Sequence, residues 1–392
     1  MREMDFSEKN VVNRWLGVNS IWSAIQGETK TLVKRRLERA LEVEATAQVG
    51  CGRYERSIGR CGYRNGEYAR DLLTSYGWIE GLRVPRVRQG GLESAVLERY
   101  RRRSRQVDRV LLEAFLLGHA TRKTARLFGR LFGTTISAQG ISNIVHELDD
   151  EVALFHGRPL VGEYRAVYLD GVWVTLSKPV KVKKVVLVAL GVRADGSKEL
   201  LGFQVTPLES EACWWGFVSD LKQRGLRGME VIVSDGQAGL VKSIRALYPR
   251  VAHQLCIFHK AMDLGAHLVE TRHRNRIIAD ALHVFEADRD RDVRDRLRWF
   301  GQTWSQKEPR AVRNFFRDID ACLVYLRYEE PWRTALKTNN LIERYLEELR
   351  RRTIPMRSFN NTKSVERIIY GIITYVLNNP TDMPMTQFTQ LA

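Results

Sequence analysis

The chain has 392 residues, 44% of them hydrophobic, and carries a formal net charge of +17 from 63 basic and 46 acidic side chains. That length exceeds one compact core, and the hydrophobic share excludes a disordered chain. The surplus of positive charge favours a polyanionic partner, DNA or RNA, over a membrane surface.

Residues 1–49 read as mostly helical, with Thr29 to Val49 rich in Leu, Ala, Glu, Lys and Arg. Gly and Arg then rise, and short β-like pieces are expected around Trp78–Val87. Six arginines follow, Arg99, Arg101, Arg102, Arg103, Arg105 and Arg109. On a helix they are either a solvated surface or contacts to phosphate. From 107 to 149 the pattern suggests a helix-turn-helix: an apolar helix over Val110–Leu117 stopped by Gly118, a second over Arg122–Leu131 ended by Gly133, and a third over Gln139–Leu148 capped by Ser137. Arg122, Lys123, Ser142, Asn143 and His146 are its candidate nucleic-acid contacts. An ordinary helical bundle is the competing reading.

From Val161 the period becomes strand-like. Strands are expected at Arg165–Leu169 and, after a Gly turn, at Trp173–Leu176, then at Val185–Val192 and Leu200–Thr206. A helix over Cys213–Arg224, a strand over Glu230–Ser234, a helix over Gln237–Leu247 and a short strand over His253–Phe258 complete an α/β pattern with a mixed sheet. Residues 260–335 lose strand character and read as an all-helical insertion. Its Trp299 and Trp304, with Trp332, are either core or a stacking surface for an unpaired base. Helices are expected over Thr338–Arg352 and Val365–Leu377, with an extended tail from Pro380. The segments are therefore 1–98, 99–155, 160–262, 263–335, 336–379 and the tail 380–392.

Two aspartates close apolar runs and precede glycine: Asp170 in Val-Tyr-Leu-Asp-Gly and Asp235 in Val-Ile-Val-Ser-Asp-Gly. Glu343 lies downstream on the Thr338–Arg352 helix. Each Asp-Gly alone is a common turn. Together, at strand ends of an α/β sheet with a glutamate brought in on a helix, they form a set of hard oxygen donors suited to two Mg2+ ions and to phosphodiester chemistry; Mn2+ is the expected substitute. Glu347, one turn on, competes with Glu343 on spacing, and surface pairing with Arg350 or Arg351 is the plain alternative. Arg350, Arg351 and Arg352 either track a nucleic-acid backbone or offset the helix dipole. Cys256 and His259 are half of a metal site at most. Zinc would need partners from elsewhere in the chain, and a structural hydrogen-bonding pair is the simpler reading.

The five cysteines are odd in number and form no Cys-x-x-Cys, so neither a disulfide framework nor a zinc ribbon is indicated. The N-terminus lacks a signal-peptide core, and no run of eighteen apolar residues predicts a membrane span. A reducing cytosol fits.

In several motifs the chain resembles Mutator-type transposases of bacterial insertion sequences, within the wider Asp-Asp-Glu group. The likeness runs through Arg53-Tyr-Glu-Arg-Ser57, Gly62-Tyr-Arg-Asn-Gly66, Val84-Pro-Arg-Val-Arg88, Leu169-Asp-Gly171 and Ser234-Asp-Gly-Gln-Ala-Gly-Leu240. It continues through Gln254-Leu-Cys-Ile-Phe-His259 and Thr338-Asn-Asn-Leu-Ile-Glu-Arg344 to Arg350–Arg352. It departs from the family pattern at Leu255 and within Asp235-Gly-Gln-Ala-Gly239, away from the carboxylates. The resemblance implies a ribonuclease-H-like core interrupted by a helical domain and preceded by a helical DNA-binding region that recognises terminal inverted repeats. It implies that Asp170, Asp235 and Glu343 bind catalytic metals, with Cys256 and His259 a family-specific pair nearby. It also implies a homodimer acting on element ends and target DNA, cutting to release a 3′-hydroxyl and transferring the strand. A non-catalytic DNA-binding regulator and a metal-dependent nuclease are the rival readings.

Overall fold

A computed structural model describes residues 8–378 apart from 56, 89–90, 99–100, 133–135, 178, 288 and 357, with backbone only at 8–20 and 355. The expected tail 380–392, Arg99 and the helix-ending Gly133 lie outside the described residues. The chain divides into two compact units: Met1–Phe115 with His119–Ile144, and Leu116–Gly118 with Val145–Ala392.

The first unit opens with α1 (Glu8–Val49), followed by β1 (Arg64–Thr74) and β2 (Gly77–Val87), an antiparallel hairpin closed by Ser75-Tyr76. Leu41 of α1 packs with Leu72, Ile79, Leu82, Val84 and Leu97. Burying these side chains, at about 25 cal/mol per Å2, holds the helix on the ribbon, because a two-stranded sheet is marginal by itself. α2 (Arg105–Leu116), α3 (Thr121–Phe132) and α4 (Ala138–His146) come next. Gly118, at φ +99°, makes the bend after α2.

The arginine run is not helical throughout, as the sequence suggested. Arg101 to Arg103 precede α2 and run beside β1: the Leu73 N–H donates to the Arg102 carbonyl (2.9 Å) and the Ser104 N–H to the Leu73 carbonyl (2.8 Å). β1's terminal backbone groups hold the segment extended, so the helix starts only at Arg105.

The second unit begins with α5 (Leu148–Gly157) and then forms a five-stranded sheet from β3 (Ala166–Leu176), β4 (Val182–Val192), β5 (Lys198–Thr206), β6 (Val231–Ser234) and β7 (Ala252–Leu255), in the order β5-β4-β3-β6-β7. β3, β4 and β5 are an antiparallel meander; β3, β6 and β7 run parallel. Parallel neighbours need crossovers, supplied by α6 (Glu211–Gln223) before β6 and α7 (Ala238–Leu247) before β7. Trp214, Phe217, Val218 and Leu221 of α6 and Leu240 and Ile244 of α7 bury against Val167, Leu169, Val185 and Leu187 on one sheet face. Two expected strands, Arg165–Leu169 and Trp173–Leu176, are one continuous strand. Asp170 and Gly171 pair with Val188 and Leu187 of β4, so Asp170 lies within a strand and not at its end.

Beyond β7 the described residues to Leu336 are helical: α8 (Ile257–Asp263), α9 (Arg274–Val284), α10 (Asp290–Trp304), α11 (Pro309–Phe316) and α12 (Trp332–Leu336), with short 3-10 turns. The expected strand through Phe258 ends at Leu255; Cys256 caps α8. The fully buried Gln254 ties this stretch to the sheet. Its side-chain amide donates to the Cys322 carbonyl (3.1 Å) and accepts from the Tyr325 N–H (2.8 Å). The Tyr168 hydroxyl of β3 donates to the Ala335 carbonyl (3.1 Å). α13 (Asn340–Thr353) and the apolar α14 (Thr362–Asn378) close the unit. None of the described helices is long and apolar enough to cross a membrane.

Candidate active site

β6 pairs with β3 only from Ala166 to Leu169, in the register Leu169↔Ser234. Asp170 is therefore the first β3 residue past its β6 partner, and Asp235 the first residue past β6. Parallel pairing sets the two carboxylates side by side where the sheet edge opens. Asp170 Oδ1 accepts from the Gly171 N–H (2.7 Å), and Asp235 Oδ1 from the Gln237 N–H (3.2 Å). Glu343, on the first turn of α13, is half-buried, while Glu347 is exposed.

Burial, then repulsion from Asp235, Glu343 and Glu209, pushes the Asp170 carboxyl up to about 7, against one backbone N–H that opposes the shift. Burial also raises Asp235, opposed by the Gln237 N–H and by His259. Three carboxylates, Asp235, Glu343 and Glu209, thus act on Asp170.

Glu209 is a fourth carboxylate that nothing in the sequence marks. It sits between β5 and α6, its carboxyl raised by burial and by Asp235. The Trp214 indole N–H donates to its Oε1 (3.3 Å), and the Gln237 side chain donates to its carbonyl (3.2 Å). A Cβ at Gly171 would stand 3.3 Å from that same Oε1. The glycine after Asp170 is thus explained by close approach within a strand, not by a turn.

His259 Nδ1 stands 3.6 Å from Glu343 Oε1. Cys256 is buried, which pushes its thiol up to about 11. Asn339, completely buried before α13, donates its backbone N–H to Cys256 Sγ (3.4 Å). The sequence places Asn339 only within the Thr338–Arg344 motif, inside an expected helix; the structure puts it at the N-cap of α13.

A profile described as "Transposase, Mutator family" matches residues 8–379. The chain belongs to the Mutator family of transposases. It is similar to the transposase for insertion sequence element ISRM5 of Rhizobium meliloti (strain 1021), 33% identical over 88% of this chain and 86% of that protein. It is also similar to the transposase for insertion sequence element IS256 in transposon Tn4001 of Staphylococcus aureus, at 29% identity over 88% and 89%. The transposase for IS1081 of Mycobacterium tuberculosis (strain ATCC 25618 / H37Rv) matches at 32% over 84% of this chain and 80% of its own length.

In this Mutator-family chain the basic residues fall into different settings. Arg350 and Arg351 are exposed on α13, though Arg351 also pairs with Glu348 (2.6 Å). Arg352 is only 2% exposed, bound to Glu348 (3.2 Å) and stacked over Tyr375 at 5.3 Å. Its expected contact with a nucleic-acid backbone is corrected: it lies seven residues after Tyr345, on the same buried helix face. In the first unit, Arg103 and Arg101 are tied to the buried Asp108 at 2.6 and 3.4 Å, and Arg105 pairs with Glu98. Arg102, Arg122, Lys123 and Asn143 are exposed; Ser142 is half-buried, and Asn143 accepts from Gln139 (2.9 Å). His146 is engaged with Asp149 (3.0 Å). Trp304 and Trp332 are core, whereas Trp299 is 43% exposed.

Proposed function

We propose that the chain is the transposase of an insertion sequence, binding terminal inverted repeats and catalysing DNA strand cleavage and transfer. The observation that carries this reading is the register that ends β6 beside β3 and leaves Asp170 and Asp235 just past it on neighbouring strands, with Asp235 and Glu343 both acting on the Asp170 carboxyl. The antiparallel meander followed by two parallel strands supports a ribonuclease-H-like core, with residues 263–335 as its helical insertion and 99–155 as a DNA-binding region.

The donor set fits hard divalent cations. All three groups are carboxylates, Glu343 Oε1 is buried without a hydrogen-bond partner, and Asp170 is destabilised as an anion. Asp170, Asp235 and Glu343 would hold Mg2+ or Mn2+, which when bound supplies Lewis-acid activation of the attacking oxygen and stabilisation of the leaving one. The chain's own part is placement. β3 and β6 fix the two aspartates through sheet register, α13 delivers Glu343, and the exposed Arg350 and Arg351 lie about two turns farther along, suited to the flanking phosphates. Water attacks the phosphodiester at the element end, freeing a 3′-hydroxyl and leaving a 5′-phosphate; that hydroxyl attacks the target phosphodiester and displaces a target 3′-hydroxyl, and the family resemblance suggests a homodimer that holds two ends.

Nicking of a labelled element end in Mg2+ tests the assignment. Glu343→Ala is expected to lose about a thousand-fold in cleavage with repeat binding retained, and Glu347→Ala to cut normally. Normal cutting by Glu343→Ala overturns it. Arg350→Ala should weaken DNA binding and reduce the salt slope by about 1. Arg352→Ala should instead cost about 3 kcal/mol of fold stability and leave the salt slope alone, read by titrating binding from low to physiological salt.

A further inference from the structure

Among the described residues, a group of buried polar atoms without hydrogen-bond partners lies at the start of α13. His259 Nδ1 and Glu343 Oε1, which face each other at 3.6 Å, and both side-chain amide atoms of Asn339 are shielded from solvent and make no hydrogen bond. Asn339 is 0% exposed. Native proteins pair about nine in ten such groups with protein or ordered water, so several orphans in one place point to a bound water or ligand. Two backbone bonds lock the spot: the Ile257 N–H donates to the Lys337 carbonyl (3.0 Å), and the Asn339 N–H to Cys256 Sγ (3.4 Å). They pin the start of α8 against the start of α13. As a result Cys256, His259 and Glu343 each offer a ligand atom, all within 4.8 Å of one another.

One sulfur, one imidazole nitrogen and one carboxylate oxygen form a different donor set from the all-oxygen pair Asp170 and Asp235. Mg2+ does not favour thiolate or imidazole; Zn2+ accepts all three types. A tetrahedral ion with bonds of about 2.0–2.3 Å needs ligand atoms about 3.3–3.8 Å apart, so the three need draw in by only about 1 Å. Three protein ligands leave a fourth position, for solvent or for the Asn339 amide oxygen. A backbone N–H on the sulfur is the kind of supporting bond that steadies a metal thiolate.

We propose that Cys256, His259 and Glu343 form a binding site for a borderline-soft divalent cation of the Zn2+ class. Cys256 binds as thiolate, its proton passing to solvent. The consequence for cleavage rests on the functional reading above: Glu343 belongs to both donor sets, so Zn2+ occupancy draws it from Asp170 and Asp235 and inhibits cutting in Mg2+. The binding itself does not depend on that reading.

The test uses the chelator-stripped full chain. Zn2+ is titrated against a chromogenic chelator, and Cd2+ serves as a probe through its thiolate charge-transfer band. We expect one Zn2+ per chain, a Cd2+ band lost in Cys256→Ser, and Zn2+ affinity at least tenfold weaker in both Cys256→Ser and His259→Ala. Cys61→Ser, which removes an exposed thiol, should change neither. His259 is half-exposed, so its variant keeps the test open if Cys256→Ser does not fold. Absence of the band, or unchanged affinity in His259→Ala, overturns the proposal and leaves the pair as a hydrogen-bonded brace for α13. Normal cleavage by Glu343→Ala would instead sink the carboxylate reading, with zinc stoichiometry unaffected by that result.

Discussion

Asp170→Asn should abolish cleavage and, in chelator, make the protein more stable than the parent. Burial and three neighbouring carboxylates raise Asp170 from its ordinary 3.8 to about 7. Below pH 4 folded and unfolded chains both hold the proton, and the fold keeps its full stability. Between pH 4 and 7 the unfolded chain gives up the proton while the folded one retains it, so stability falls as pH rises. The ceiling on that loss is about 4 kcal/mol, and partial solvent access brings the expected value to about 2 kcal/mol. Asparagine keeps an oxygen for the Gly171 N–H and removes the charge. Its melting temperature should exceed the parent's by about 5 °C at pH 8 and match it at pH 4. Mg2+ should raise the parent more than the variant. Thermal melts at the two pH values, with and without Mg2+, check this; an unchanged melting temperature at pH 8 would show that Asp170 is not under this repulsion.

Trp214→Ala should produce the largest loss of stability. Trp214 is fully buried between α6 and the sheet, and its indole N–H also holds Glu209. Truncation removes the packing and leaves a cavity, at a cost of about 4 kcal/mol and a fall in melting temperature of about 10 °C. Trp214→Phe keeps most of the volume but drops the N–H, and should cost about 1 kcal/mol. Equal losses in the two variants, measured by denaturant unfolding, would show that the hydrogen bond to Glu209 outweighs the packing.

Much of the chain was legible because its signals are local. Alternating and helical apolar periods located β4, β6, α3, α7 and α14 to within a few residues, since side-chain direction repeats every two or 3.6 residues. Two errors come from strand partners far away in sequence, and a third from a helical spacing that was there to be read. Asp170-Gly171 looks like a turn in sequence, but β4 pairs through it and Glu209 needs the space above the glycine. Cys256 looked like part of a strand because Leu255 to Phe258 is apolar, yet β6 has already ended opposite Leu255. Arg352 looked like a surface charge, although its helical spacing from Tyr345 and Leu349 already put it on the buried face.

The sequence by itself pointed to the family through its motifs, to the alternation that makes an α/β unit, and to Asp170, Asp235 and Glu343 as candidates. All of these are carried by residue type and near-neighbour spacing. Only the tertiary structure decided that Leu169 pairs with Ser234, that Glu209 comes up against Gly171, and that His259 and Cys256 converge on Glu343. Those contacts join residues far apart in the chain. Parallel register and helix docking are fixed by burial of the whole sheet face, a quantity no short stretch of sequence contains.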